Sequence, residues 1–132
     1  MIKLDNVENS EDWCVEVLQA IRWSNGTSCP YCSSTKVTEK KYPIRNHCNT
    51  CNTPFSVKTQ TIFHKSRIPF TIWFKAIDML LNSRRIPSIR ELGRRLNINK
   101  NTAARIKDRV SYHVYIQDGM LFQIAKTISK NG

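Results

Sequence analysis

A small α+β fold is predicted: an N-terminal helix, a short antiparallel β segment, then a run of helices. Three observations predict it. Four of the five cysteines fall in two C-x-x-C pairs between Cys29 and Cys51, among β-leaning pieces punctuated by Pro30, Pro43 and Pro54. Apolar residues recur at helical spacing before and after that segment. Residues 88–110 then read as two further helices, each opening on a polar cap.

The first helix covers Ser10 to Arg22. Ser10 is the N-cap, acids occupy the first turn, and Trp13, Val17, Leu18 and Ile21 form one apolar stripe until Asn25-Gly26 stops it. The β-leaning pieces are Lys36–Thr38, Tyr42–Asn46 and Phe55–Val57. Pro69 precedes an amphipathic helix of about 13 residues on which Phe70, Trp73, Phe74, Ile77, Leu80 and Leu81 share a face. Ser88 with Glu91 three residues on is a capping box. The helix it opens ends at Leu96, and the next begins near Asn99. The tail from Gly119 reads as a last short helix or strand, and GMLFQIAKTI within it is a candidate homodimer surface.

At 132 residues the chain forms one domain or two very small ones. The divisions read from the sequence are 1–28, a helix packing on the ribbon; 29–66, the ribbon; 67–115, a helical domain; and 116–132, a C-terminal segment. The net charge is +11. It is unevenly spread: residues 1–28 are net −3, 29–69 net +6, 70–115 net +7 and 116–132 net +1. A basic field on the cysteine segment and on the helices after it points to a polyanionic partner. No apolar run approaches the roughly 20 residues of a membrane span. The acidic, polar N-terminus does not read as a signal peptide. The expected setting is therefore intracellular, in cytoplasm, nucleoid or host nucleus, where disulfides are disfavoured.

That setting, and an odd cysteine count, favour a metal over disulfides. The spacing is C-x2-C-x15-C-x2-C: Cys29, Cys32, Cys48 and Cys51. Two intervening residues put both sulfurs of a pair on one side of a tight turn, and fifteen let a hairpin leave one turn and return to the other. Four thiolates so placed close a tetrahedral shell about one structural zinc, or an iron of the same geometry, which spacing alone does not separate. Cys14 reads as a small buried thiol. His47 and His64 read as surface residues, since four cysteines already complete the shell.

IPSIRELGRRLNINKNTAARIKDRV has the layout of a helix-turn-helix. Leu92, Leu96, Ile98, Ala103, Ile106 and Val110 supply its inward face, and Gly93 lets the helices approach. In this motif the N-terminal part of the second helix lies in the major groove of double-stranded DNA. Asn99, Lys100, Asn101, Thr102, Arg105 and Arg109 are the candidate readers there, since Asn pairs with adenine and Arg with guanine. Arg84, Arg85, Arg90, Arg94 and Arg95 are candidate phosphate contacts. Trp13, Trp73 and Phe74 could stack on bases, but their spacing among aliphatics reads as core.

DWCVEVLQAIRWSNGTSCPYCSSTKV, HCNTCNTPFSVKTQTIFHKSRIPFTIWFKAI and SIRELGRRLNINKNTAARI together resemble the N-terminal DNA-binding region of DDE-type insertion-sequence transposases that carry a zinc ribbon. The resemblance spans about residues 10–112. It implies a zinc ribbon and helix-turn-helix that grip DNA ends, with the four cysteines as ligands and the helix near Asn99 as reader. Gln60 departs from it, standing where the family pattern has Gly in T-G-T-I-F. Such transposases continue into an RNase H-like catalytic domain holding two metal ions, whereas only Asp118 follows the helix-turn-helix here. The expectation is a zinc-dependent DNA-binding protein without catalysis, a transcriptional regulator derived from a transposase or a transposase fragment. Zinc ribbons also serve as adaptors, so RNA polymerase or another protein is the alternative partner.

Overall fold

The computed structural model describes residues 10–40 and 45–131. The element order is α1 (Glu11–Arg22), β1 (Val37–Lys40), β2 (Arg45–Cys48), β3 (Thr53–Phe55), α2 (Phe70–Leu81), α3 (Ile89–Leu96), α4 (Lys100–Tyr115) and α5 (Gly119–Asn131). The three strands form one antiparallel sheet in the order β1-β2-β3. The fold is the small α+β predicted. The β-leaning pieces are displaced: the first strand runs Val37–Lys40, the third Thr53–Phe55, and of Tyr42–Asn46 only Arg45 and Asn46 lie among the described residues. Pro54 sits inside β3, and since β3 pairs only with β2 it is an edge strand, where a missing N–H is tolerated. The tail is helical throughout α5.

Contacts divide the chain into two compact units, Leu18–Arg67 and the remainder, so that α1 contributes to both. In the first unit the sheet and the two cysteine turns enclose a small core. Cys29, Cys48 and Phe55 are buried there, with Trp23 and Val37 packed against them. Trp23 meets Phe55 edge-on at 5.8 Å between ring centres. Arg22 donates to the Val57 carbonyl at 2.8 Å, and its guanidinium lies 5.0 Å from the Trp23 ring centre. Burial lowers the pKa of this guanidinium, with Tyr31 opposing.

In the second unit α2 is the central helix and meets α3, α4 and α5. Phe70, Trp73, Phe74, Ala76, Ile77 and Met79 are its buried face, and Trp13 meets Phe74 edge-on at 6.0 Å. Trp13, Trp73 and Phe74 are thus core residues. Pro69 gives α2 no side-chain cap. Glu11 supplies one instead, accepting from the Thr71 amide at 2.7 Å, where a carboxylate also complements the helix dipole.

The α3–α4 turn is built by caps. Ser88 Oγ accepts from the Glu91 amide at 3.1 Å. Asn97 takes the left-handed conformation (φ 55°) that Asn tolerates, and the Ile98 amide donates back to the Gly93 carbonyl at 2.9 Å. A Cβ on Gly93 would sit 3.1 Å from the Ile98 carbonyl oxygen, so glycine is what lets the turn fold this close. Asn99 Oδ1 accepts from the Thr102 amide at 2.8 Å and starts α4. At the far end of α4, His113 Nδ1 lies 2.7 Å from Asp118 Oδ2, while Asp118 Oδ1 accepts from the Met120 amide at 3.0 Å and caps α5.

Candidate metal centre and nucleic-acid interface

The metal centre stands on two similar turns. In each, the residue after the second cysteine, Ser33 or Asn52, is left-handed (φ 65° and 58°). An amide within each turn points at the first sulfur: Tyr31 N lies 3.3 Å from Cys29 Sγ and Cys51 N lies 3.4 Å from Cys48 Sγ. Strand pairing sets one turn beside the other, with Ser34 Oγ and Thr50 Oγ1 at 2.6 Å. All four Sγ atoms lie within 4.8 Å of one another. Cys29–Cys51 and Cys32–Cys48 are 3.7 and 3.5 Å apart. Bonds of about 2.3 Å to a tetrahedral ion give a sulfur–sulfur edge of about 3.8 Å, so the donor set fits one zinc. Cys29 and Cys48 are buried, while Cys32 and Cys51 face solvent.

The cluster is electrostatically uneven. The Cys51 amide lowers the Cys48 thiol to about 6; burial opposes, and the Thr50 amide and the Cys32 and Cys51 thiols assist. For Cys32 the Ser34 amide pulls down, but Cys48, burial, Cys51 and Cys29 together push it up to about 12. Zinc binds the thiolate forms, so uptake releases protons and is weakened as pH falls. With four thiolates the shell is closed, so the ion's role is structural.

Neither histidine joins the shell. His47 Nε2 lies 2.8 Å from Asn52 Oδ1, and His64 Nδ1 accepts from the Gln60 amide at 2.7 Å. Cys14 is fully buried. Gln60 holds φ 60°, the conformation a glycine adopts freely, so the turn is kept despite the side chain.

The candidate DNA-contacting residues separate into two groups. Arg84, Arg85, Arg90, Arg94 and Arg95 are all exposed. Glu91, whose backbone completes the Ser88 cap, turns its carboxylate instead to Arg85 (3.3 Å) and Arg95 (3.9 Å). On α4, Lys100, Asn101 and Arg105 are exposed, whereas Thr102 and Arg109 are half-buried. The Asn99 side-chain oxygen is engaged as the helix cap. The exposed stripe that starts at Asn101 and Arg105 continues through Asp108 and Tyr112, at i, i+4, i+7 and i+11, leaving Arg109 to one side. Asp108 and Tyr112 are absent from the candidates named by residue type, and helical periodicity counted from Asn101 is the signal that finds them.

Residues 9–54 match the family model described as a transposase zinc-ribbon domain of the IS1595 type, and the four clustered cysteines, fit to hold one zinc, lie within that match. The chain is 31% identical over 99 residues to an uncharacterized protein in transposable element ISH50 of Halobacterium salinarum, a match covering 73% of this chain and 33% of that relative. The chain spans about a third of the length of the curated relative it matches. No solved structure matches it significantly. Among the described residues no helix is long and apolar enough to cross a membrane.

Proposed function

We propose that this transposase-type zinc-ribbon protein binds double-stranded DNA, and that α3, the turn and α4 act as a helix-turn-helix. In this reading zinc folds the ribbon, the exposed arginines from Arg84 to Arg95 hold phosphates, and Lys100, Asn101 and Arg105 enter the major groove. The protein is a transposase-derived regulator or the DNA-binding part of a transposase, and these residues contribute no catalysis. A closed thiolate shell, which offers no coordination position to a substrate, supports the last point. The observation that carries the proposal is the exposed stripe beginning Asn101–Arg105, flanked by five exposed arginines, on a chain of net charge +11.

The test is selection from a randomised duplex pool with zinc-loaded protein, followed by salt titration. Replacing Arg94 and Arg95 by Ala lowers affinity equally on all sequences and reduces the salt slope by about one for every phosphate no longer neutralised. Asn101→Ala instead relaxes preference at one base pair, by about 1–3 kcal/mol. No retention of duplex DNA at moderate salt would sink the reading. A second reading, an adaptor for RNA polymerase or another protein, is favoured by exposed Tyr112, Tyr115, Ile116 and Phe122 at the α4–α5 corner.

A further inference from the structure

We infer that Asp108 is a specificity-determining residue of α4, accepting a hydrogen bond from the exocyclic amino group of a cytosine in the major groove. The inference rests on the DNA-binding reading above.

From Phe70 onward the chain has four acids: Asp78, Glu91, Asp108 and Asp118. Three are engaged. Asp78 accepts from Asn82 Nδ2 at 2.8 Å, Glu91 faces Arg85 and Arg95, and Asp118 holds His113 and the Met120 amide. Asp108 is exposed and enters no salt bridge or hydrogen bond among the described residues, although Arg105 stands three residues before it on the same face. Arg105, also exposed, likewise enters no salt bridge among the described residues. Neither neutralises the other, so each carries its charge toward whatever the stripe meets.

A free carboxylate on the face of a basic helix that enters a polyanion's groove is repelled by every phosphate. It is tolerated where it lies nearest the bases, because there a matched donor offsets the repulsion. Asn101, Arg105 and Asp108 span about 10 Å along the helix at 1.5 Å per residue, which is about three base pairs at 3.4 Å each. An ionised carboxylate only accepts hydrogen bonds. Cytosine shows a lone donor, its N4 amino group, in the major groove, while adenine sets the N7 acceptor beside its N6 donor. An acceptor-only side chain therefore prefers cytosine, as Arg105 beside it prefers the O6 and N7 acceptors of guanine.

The experiment compares the full zinc-loaded chain with Asp108→Asn in selection from a randomised duplex pool at one salt concentration, followed by affinity measurement on the selected and single-substituted duplexes. Asparagine keeps the size and exposure of the side chain but offers the donor and acceptor that match adenine. The expected result is a motif changed at one base pair, from C·G to A·T, with discrimination there altered by about tenfold. Affinity for unselected duplex rises, because one repelling charge is gone. Asp108→Ala loses preference at the same base pair without acquiring a new one. An identical motif for wild type and Asp108→Asn, with affinity raised uniformly, overturns the inference and leaves Asp108 a solvated acid. If wild type itself enriches no motif, base reading by α4 fails as a whole, a result distinct from that first outcome.

Discussion

The ribbon unit and the helical unit reach order by different means. The buried core around the ribbon's metal centre is Cys29, Cys48 and Phe55, two of them metal ligands. The helical unit fully buries Trp73, Ile77, Leu92, Ile106, Leu121 and Ile124, each worth about 1.5–3 kcal/mol relative to exposure. A sheet of three strands, of four, four and three residues, has too little apolar surface to offset its own chain entropy. Metal binding supplies the order of the sheet and its cysteine turns, while Leu18, Val57, Ile62 and Phe63 are buried elsewhere in the same unit. The same chain thus holds its basic surface on one scaffold that depends on metal and pH and on another that depends on packing.

The largest expected effect breaks that contrast directly. Removing zinc by chelation, or replacing buried Cys48 by Ser, withdraws binding free energy on the order of 10–16 kcal/mol from the ribbon. Amide resonances of residues 29–40 and 45–55 collapse while those of α2 to α5 keep their dispersion, and equal collapse of both sets would show that the two units share one source of stability. Next in size, Trp73→Ala opens a cavity at the centre of the helical unit and costs about 3–5 kcal/mol. Thermal melting falls accordingly, while the zinc content of the folded protein stays at one per chain. The smallest effect sharpens the account of the ribbon unit: Gln60→Gly relieves a left-handed side-chain-bearing residue at φ 60° and stabilises by about 1 kcal/mol. Unchanged or lower stability in chemical denaturation would mean that the hydrogen bond from the Gln60 amide to His64 depends on the side chain.

Much of this was legible in one dimension because it rests on local rules. The thiolate spacing, the Ser88 and Asn99 caps, the Gly93 close approach and the apolar face of α2 each depend on residues within one or two turns. Strand limits were less legible, since which residues pair depends on where the two cysteine turns bring them. Two features lay beyond local reasoning altogether. Glu11 caps α2 from sixty residues away, replacing the cap that Pro69 does not supply. Glu91, half of a capping box by sequence, spends its carboxylate on arginines that reach it from a loop and from the last turn of α3.

By itself, the sequence determined the four-cysteine metal site, the fold class and the helix that presents a basic end, because cysteine spacing, period and caps act over short stretches of chain. Tertiary structure decided how far the candidate readers stand out from that helix. It buried Ala103, Ile106 and Val110 as the period predicted, but turned Thr102 and Arg109 partly inward while Asn101, Arg105, Asp108 and Tyr112 face outward. The physical reason is that the orientation of a helix about its own axis is fixed by what it packs against, here α2, α3 and α5.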